Sequence, residues 1–290
     1  MTEKQDPKTK PPPIPSQIRK RRPDGRISGG TLRPLSAEVS CLGRADGSSK
    51  FSSGSTQVLC AVYGPSAPRL TSKERPTGSI LSVVFKQGIQ NNNNNNSTSS
   101  SSTGNTNSQT RNSNTVSTGV MSMTTEREME RWISDCLTSS VKVEDYPRTV
   151  IEVVIQVINA DGSVMATALN AAVLAFMDAG ITMRSLPIAT TCLVQPSNGL
   201  TSQPYELCLD PTSEEECQKN DNCNNNSVFV FVMDNADTNN IISSFTFGSF
   251  SLDSYLSALE GATRAVSAMT AFMRIAMEQK ITREAQTLWS

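Results

Sequence analysis

The strongest pattern of apolar positions lies in the middle of the chain. Val150 to Ile158 is almost continuously apolar and β-branched, which is typical of a strand buried on most sides. Asp161-Gly162 is a turn signal, and Ala166 to Asp178 predicts a helix that is apolar nearly all round, with Gly180 placed to end it. A buried strand, a glycine turn and a buried helix form a unit whose helix N-terminus can hold an anion.

The residues before this unit predict mainly strands. Alternating apolar positions favour a strand over Leu35–Leu42, a hairpin-type turn at Ala45–Ser48 and a second strand from Phe51. Gly54–Pro65 and Ile80–Phe85 predict two more strands. The expected arrangement of this N-terminal part is a β-meander.

Helical and strand patterns occur again on both sides of the central unit. A capping box at Thr125–Glu128 precedes a helix whose apolar stripe contains Met129, Trp132, Ile133, Cys136 and Leu137. Strands are predicted over Leu186–Val194, Tyr205–Asp210, Val228–Met233 and Ile241–Phe250. Ser251 caps a long last helix with the stripe Leu252, Tyr255, Leu256, Leu259, Ala262, Val266, Met269, Met273 and Met277. These groups predict an α+β fold with sheets covered on one side by helices.

Polar stretches divide the sequence. Residues 1–22 are polar, rich in proline and end in four basic residues, and residues 87–119 are rich in Asn, Ser and Thr. Both compositions predict disorder because they offer little apolar surface to bury. Residues 218–227 form a second polar insertion. The rest of residues 23–285 is expected to form one folded domain.

Composition narrows the chemistry. The chain has 290 residues, a formal net charge of −1 and no histidine. Such a charge gives no general attraction to nucleic acid, and the lack of histidine excludes Ser-His-Asp and Cys-His catalysis and His-ligated zinc. Carboxylate, lysine or tyrosine chemistry and oxygen-ligated metal remain open. No apolar run suits a membrane span and no signal peptide opens the sequence, while seven cysteines without paired motif spacing favour a reducing compartment.

Three groups of charged or polar residues are further candidates for binding sites. The run Arg19–Arg22 is equally compatible with a solvated tail and with nuclear import or nucleic-acid contact. Asp210 and Glu214–Glu216 could bind a hard cation, although an acidic turn on a solvated surface is the favoured interpretation. Ser163 and Thr167 could still accept an anion weakly at the helix N-terminus.

Several motifs, in this order and spacing, resemble the RNase PH family. The matching pieces are Arg22–Arg26, Ala45–Ser48, Gly54–Pro65, Arg127–Leu137, Pro147–Thr149, Asn159–Gly162 and Leu209–Thr212, together with the closing helix. Within the family, the chain is similar to the eukaryotic exosome ring subunits. The pieces that indicate this branch are Tyr63–Pro65 with Ser72–Glu74, Asp178–Arg184 and Leu209–Ser213.

The resemblance implies the RNase PH fold, which is related to a ribosomal-protein domain and built from pseudo-repeated β/α halves. It also implies a six-membered ring of RNase PH-like subunits with S1/KH-type cap subunits, RNA passing through the pore, no membrane and no cofactor. The implied processes are rRNA maturation, RNA surveillance and mRNA turnover, in the nucleus, including the nucleolus, and in the cytoplasm. In relatives the loop containing Arg69, Lys73 and Arg75 points toward the pore, so these cations are candidates for backbone contact with RNA.

The same resemblance implies that catalysis has been lost. Active relatives degrade RNA from the 3′ end with phosphate as the nucleophile, and they hold phosphate with a Thr-Arg pair at the N-terminus of the central helix. Met165 stands where that Arg would be, Asp135 replaces a second family Arg, and Val228 falls at the general-acid Asp. We therefore expect no catalytic residues and no metal site. The alternative is a stand-alone nuclease, acting as a homodimer with a metal held by Asp210 and Glu214.

Overall fold

Two β-sheets enclose the central apolar helix. The computed structural model describes residues 22–68, 74–87, 126–196, 205–217, 226–237 and 240–289. The strands of the first sheet are β1 Leu35–Val39, β2 Gly47–Ser53, β3 Thr56–Ser66, β4 Ile80–Gln87 and β5 Val150–Asn159. Those of the second sheet are β6 Pro187–Pro196, β7 Tyr205–Leu209, β8 Ser227–Asp234 and β9 Ile241–Phe247. The helices are α1 Glu126–Ser140, α2 Val164–Asp178, α3 Ser213–Cys217 and α4 Leu252–Trp289, with a 3-10 turn at Val143–Asp145.

Helix α2 is buried on every side because it packs against both sheets, chiefly against β2 and β3 in the first and β6 in the second. Its residues from Val164 to Phe176 are all buried. Gly180 follows its end with φ +69°, the left-handed conformation in which glycine carries no steric penalty. The sequence prediction of an all-round apolar helix that ends near Gly180 is therefore confirmed.

The predicted four-strand meander is wrong beyond β3. The strand order of the first sheet is β1-β2-β3-β5-β4, so β5 lies between β3 and β4 and pairs in parallel with β4. Parallel neighbours need a crossover connection, and α1 lies on the connection from β4 to β5 and packs against β4. The apolar β5 thereby takes a central position, where Ile151, Val153 and Ile155 are fully buried.

The stripe predicted for α4 is wrong at its start. Leu252 is 71% exposed and Leu256 is exposed as well. The buried face of the helix instead carries small residues beside larger ones: Ala258, Ala262, Ala265, Val266, Met269, Met273 and Ala276. The stripe predicted for α1 holds better, since Met129, Ile133, Cys136 and Leu137 are buried.

The predicted segment boundaries shift by one residue at three places. Arg22, assigned to the N-terminal arm, is buried, while Gln87 ends β4 and Ser227 begins β8. The other residues of the arm and of the 87–119 insertion lie outside the described residues, as does all of the 218–227 insertion except Asn226 and Ser227. In the described part of the chain, no helix combines the length and apolar character that a membrane span requires.

Candidate functional site

The turn that leads into α2 is covered by the chain segment that follows β7. Gly162 has φ +73°, and a Cβ there would lie 2.4 Å from the carbonyl oxygen of Pro211, so only glycine fits. Ser163 also has a left-handed backbone, with φ +53°. The segment Asp210–Glu216 therefore lies directly against the N-terminus of α2.

Hydrogen bonds from side chains and backbone groups hold the segment Asp210–Glu216 against the N-terminus of α2. The Ser163 N–H donates to Oε1 of Glu216 at 2.9 Å, and the Ser163 hydroxyl donates to the Pro211 carbonyl at 3.1 Å. The Ser213 hydroxyl donates to Asp161 at 2.8 Å. The Thr167 hydroxyl donates to the Ser163 carbonyl at 2.9 Å. The polar groups that the sequence suggested for an incoming anion, Ser163 and Thr167, are thus bound to the chain itself.

Among the residues that the structure describes, a very small cavity lies at this helix end. Its volume is about 10 Å³, close to the least space that holds one water molecule. It is lined by Ser163, Val164, Met165, Thr191, Glu216, Val228 and Val230. The structure thus places the predicted residues Met165 and Val228 in one pocket, each 4% exposed. It does not bring Asp135 to them, because Asp135 is exposed on α1 and does not line the cavity.

A buried ion pair beneath this turn joins the beginning of the chain to the segment after β7. The Arg33 guanidinium binds both carboxylate oxygens of Asp210, with Nη2–Oδ1 at 2.6 Å and Nε–Oδ2 at 2.9 Å. The Ser53 hydroxyl donates to the same carboxylate at 2.6 Å. Burial alone would raise the pKa of Asp210, but the hydrogen bonds and charge of Arg33 outweigh it and hold the pKa below its ordinary value.

A second buried pair lies beside the first. Nε of Arg22 is 2.6 Å from Oε1 of Glu215, and its Nη1 donates to the carbonyl of Leu209 at 3.0 Å. Arg26 donates to the carbonyl of Asp210 at 2.9 Å. The prediction that Arg22 belongs to a free basic tail is therefore wrong, because its charge is neutralised inside the fold.

The interpretation of Asp210 and Glu214–Glu216 as a solvated acidic turn is also wrong. Asp210 and Glu215 are buried, and Glu216 accepts the Ser163 N–H; only Glu214 is exposed. Sequence reasoning missed these pairs because their partners lie 177 to 193 residues away along the chain. The available signal was the co-occurrence of an Arg-rich turn near residue 22 and an acidic segment after a strand.

Comparison with known proteins identifies the family to which this fold belongs. Residues 31–182 match the family model described as "3' exoribonuclease family, domain 1", or RNase_PH. The chain belongs to the RNase PH family. The match ends just after α2, so it includes the first sheet and the covered helix N-terminus.

Relatives of this RNase PH family chain include exosome proteins. An Arabidopsis thaliana protein named "Exosome complex exonuclease RRP46 homolog" is 29% identical over 275 residues, which cover 89% of this chain and 96% of that protein. The crystal structure of rice Rrp46 is 31% identical, with a TM-score of 0.64 over 87% of this chain and 98% of that one. An archaeal exosome core structure, at 15% identity and a TM-score of 0.60, shows the shared fold. The predicted fold and the predicted branch of the family are confirmed.

The carboxylates of this RNase PH fold do not form the metal site of the alternative hypothesis. Asp210 is committed to Arg33 and Ser53, whereas Glu214 is exposed. Among the residues that the structure describes, no group of three or more Cys, Asp or Glu side chains could hold a metal ion. The geometry therefore does not support the hypothesis of a metal-dependent nuclease at Asp210 and Glu214.

The predicted RNA-contact loop is described only in part. Arg75 is exposed, and its carbonyl accepts the N–H of Arg148 at 3.0 Å. Arg69 and Lys73 lie outside the described residues. RNA contact through this loop stays a prediction.

Proposed function

We propose that this chain is a noncatalytic structural subunit of the RNA exosome core ring. It supports 3′-to-5′ RNA processing and degradation through assembly and RNA threading, in rRNA maturation, RNA surveillance and mRNA turnover. The similarity to plant Rrp46 proteins over nearly their full length supports the exosome assignment. The Arabidopsis relative is named an exonuclease. The proposal that this chain is inactive is therefore based on the residues of its own site and not on the names of its relatives.

The observation that carries the noncatalytic part is the closed N-terminus of α2. A cavity of about 10 Å³ between Met165 and Val228 has no room for phosphate. Neither side chain can stabilise a developing charge or transfer a proton. Loss of one preorganised charge-stabilising contact costs on the order of 100- to 1,000-fold in rate. This site lacks more than one such contact.

The proposal includes partners and location. The partners are other RNase PH-like subunits in a hexameric ring, S1/KH-type cap subunits and the RNA in the pore, with Arg69, Lys73 and Arg75 as candidate backbone contacts. The location is the nucleus, including the nucleolus, and the cytoplasm. Purification of the tagged native protein tests this assignment: it should migrate with a large particle that contains other RNase PH-like subunits. Migration as a small homodimer alone would contradict it.

We expect the purified chain to release no nucleoside diphosphates from single-stranded RNA in the presence of phosphate. The physical reason is that Met165, Val228 and the bound Glu216 leave no site for the nucleophile. A phosphorolytic member of the family serves as the positive control in the same assay. Diphosphate release that persists through further purification would show that the site is active.

A further inference from the structure

The N-terminus of α2 binds a carboxylate from the chain itself, that of Glu216. Helix α2 has 15 residues, and the aligned peptide dipoles of such a helix place a partial positive charge at its N-terminus. The Glu216 carboxylate accepts the Ser163 N–H there at 2.9 Å. Of the described residues that line the adjoining cavity, Glu216 alone is ionisable. The place that suits an anion is therefore filled by Glu216.

A second polar group faces the same cavity and does not depend on the helix. Thr191, in the middle of β6, is 3% exposed and lines the cavity beside Glu216. Its hydroxyl has no hydrogen-bond partner among the residues that the structure describes. A buried hydroxyl without a partner is unfavourable, so a donor is available there for an additional acceptor.

The backbone that carries Glu216 is anchored by its neighbours in α3. Glu215, the preceding residue, pairs with Arg22 at 2.6 Å and accepts the Thr212 N–H at 2.9 Å. Ser213, at the start of α3, binds Asp161. These contacts fix both ends of the covering turn, so Glu216 reaches Ser163 from an anchored backbone.

We infer that Glu216 acts as an internal anion that excludes free phosphate from the N-terminus of α2. Without its charge and bulk, the Ser163 N–H and the Thr191 hydroxyl would together form a site for inorganic phosphate. This inference deepens the noncatalytic function proposed above and rests on it for its biological meaning. The binding measurement itself does not depend on ring assembly, so the two can fail separately.

The experiment compares thermal unfolding of the full chain in millimolar inorganic phosphate and in chloride of equal ionic strength. Glu216→Ala removes the carboxylate, and Glu216→Gln removes the charge while keeping an acceptor for Ser163. The matched control is Glu214→Ala, because Glu214 is exposed on the same short helix. We expect phosphate to raise the melting temperature of Glu216→Ala, which removes both the charge and the bulk, and not that of Glu216→Gln, which keeps the bulk. The affinity of Glu216→Ala for phosphate should exceed that of the wild type by about tenfold or more.

Glu216→Ala with Thr191→Val should lose part of this phosphate effect, since the second donor is then absent. If Glu216→Ala does not fold, Glu216→Ser, which also removes the charge and most of the bulk, decides the question. The inference is overturned if the small variant gains no phosphate response, or if the wild type, Glu216→Gln or Glu214→Ala responds equally. Each of these outcomes leaves the ring assignment untouched, whereas phosphorolysis by the wild type would overturn the noncatalytic function.

Discussion

The two ends of α2 are both held by charges from distant parts of the chain, but in different surroundings. At the N-terminus, Glu216 binds Ser163 beside the small cavity lined by Met165 and Val228. At the C-terminus, the Asp178 carboxylate accepts the Ser48 N–H at 2.7 Å and pairs with Lys280 of α4. Both arrangements fix the helix to other elements of the fold.

The two ends differ in the sign of the charge that the helix dipole favours. At the C-terminus, the Asp178 carboxylate opposes the helix dipole and is tolerated because Lys280, the Ser48 N–H and the Ser40 hydroxyl all bind it. At the N-terminus, the carboxylate has the sign that the dipole favours, which is also the sign of a bound phosphate. The N-terminus therefore keeps the electrostatics of an anion site while the anion comes from the chain itself.

The largest expected effect on stability is at the buried Arg33–Asp210 pair, which lies beneath the N-terminus of α2. Asp210→Ala leaves the Arg33 guanidinium buried without its partner, which costs about 3–5 kcal/mol of unfolding free energy. Urea or thermal unfolding measures the loss. The control is Asp135→Ala, whose exposed carboxylate on α1 should matter by less than about 0.5 kcal/mol. Equal stability of the two variants would show that the pair does not hold the N-terminal end.

A smaller effect is expected at the other end of the helix. Asp178→Ala removes the acceptor of the Ser48 N–H and the partner of Lys280, at a cost of about 1–3 kcal/mol. Glu284→Ala is the matched control, because Glu284 contacts the same Lys280 from an exposed position at 3.4 Å. Such an exposed pair contributes at most about 1 kcal/mol. If Glu284→Ala were the more damaging variant, Asp178 would not be the anchor of the C-terminal end.

Local sequence patterns predict the central unit well because its signals lie close together along the chain. The apolar run of β5, the Asp161-Gly162 turn and the largely apolar α2 each follow from neighbouring residues. The resemblance placed Met165 and Val228 in one pocket, and the structure brings both to the same cavity.

The features that sequence reasoning missed depend on contacts between distant segments. Periodicity does not show that β5 inserts beside β3, because strand order depends on the crossover through α1. Nor does it pair Arg22 with Glu215 across 193 residues. On α4, the prediction included Leu252 and Leu256, which are exposed, and omitted Ala258 and Ala265, which are buried.

If the N-terminus of α2 is closed to phosphate, RNA contact by this subunit has to come from another surface. The loop with Arg69, Lys73 and Arg75 is the predicted one, and we expect replacement of all three by Ala to weaken RNA binding by the assembled ring. Phosphate contacts release counterions, so log affinity should also depend less steeply on log salt. The loss should be similar for all RNA sequences, since backbone contacts carry no base information.

The stability of the subunit should change by only about 0.5 kcal/mol or less, because exposed substitutions have small effects and Arg75 is exposed. The control replaces Arg264, Arg274 and Arg283, three exposed cations of α4, by Ala, which removes the same charge from a different surface. A salt titration of RNA affinity compares rings built with each subunit. An equal loss in both variants would indicate a general charge effect, whereas no loss in the loop variant would place the RNA path elsewhere. A weaker and less salt-dependent interaction in the loop variant alone would locate RNA contact away from both ends of α2.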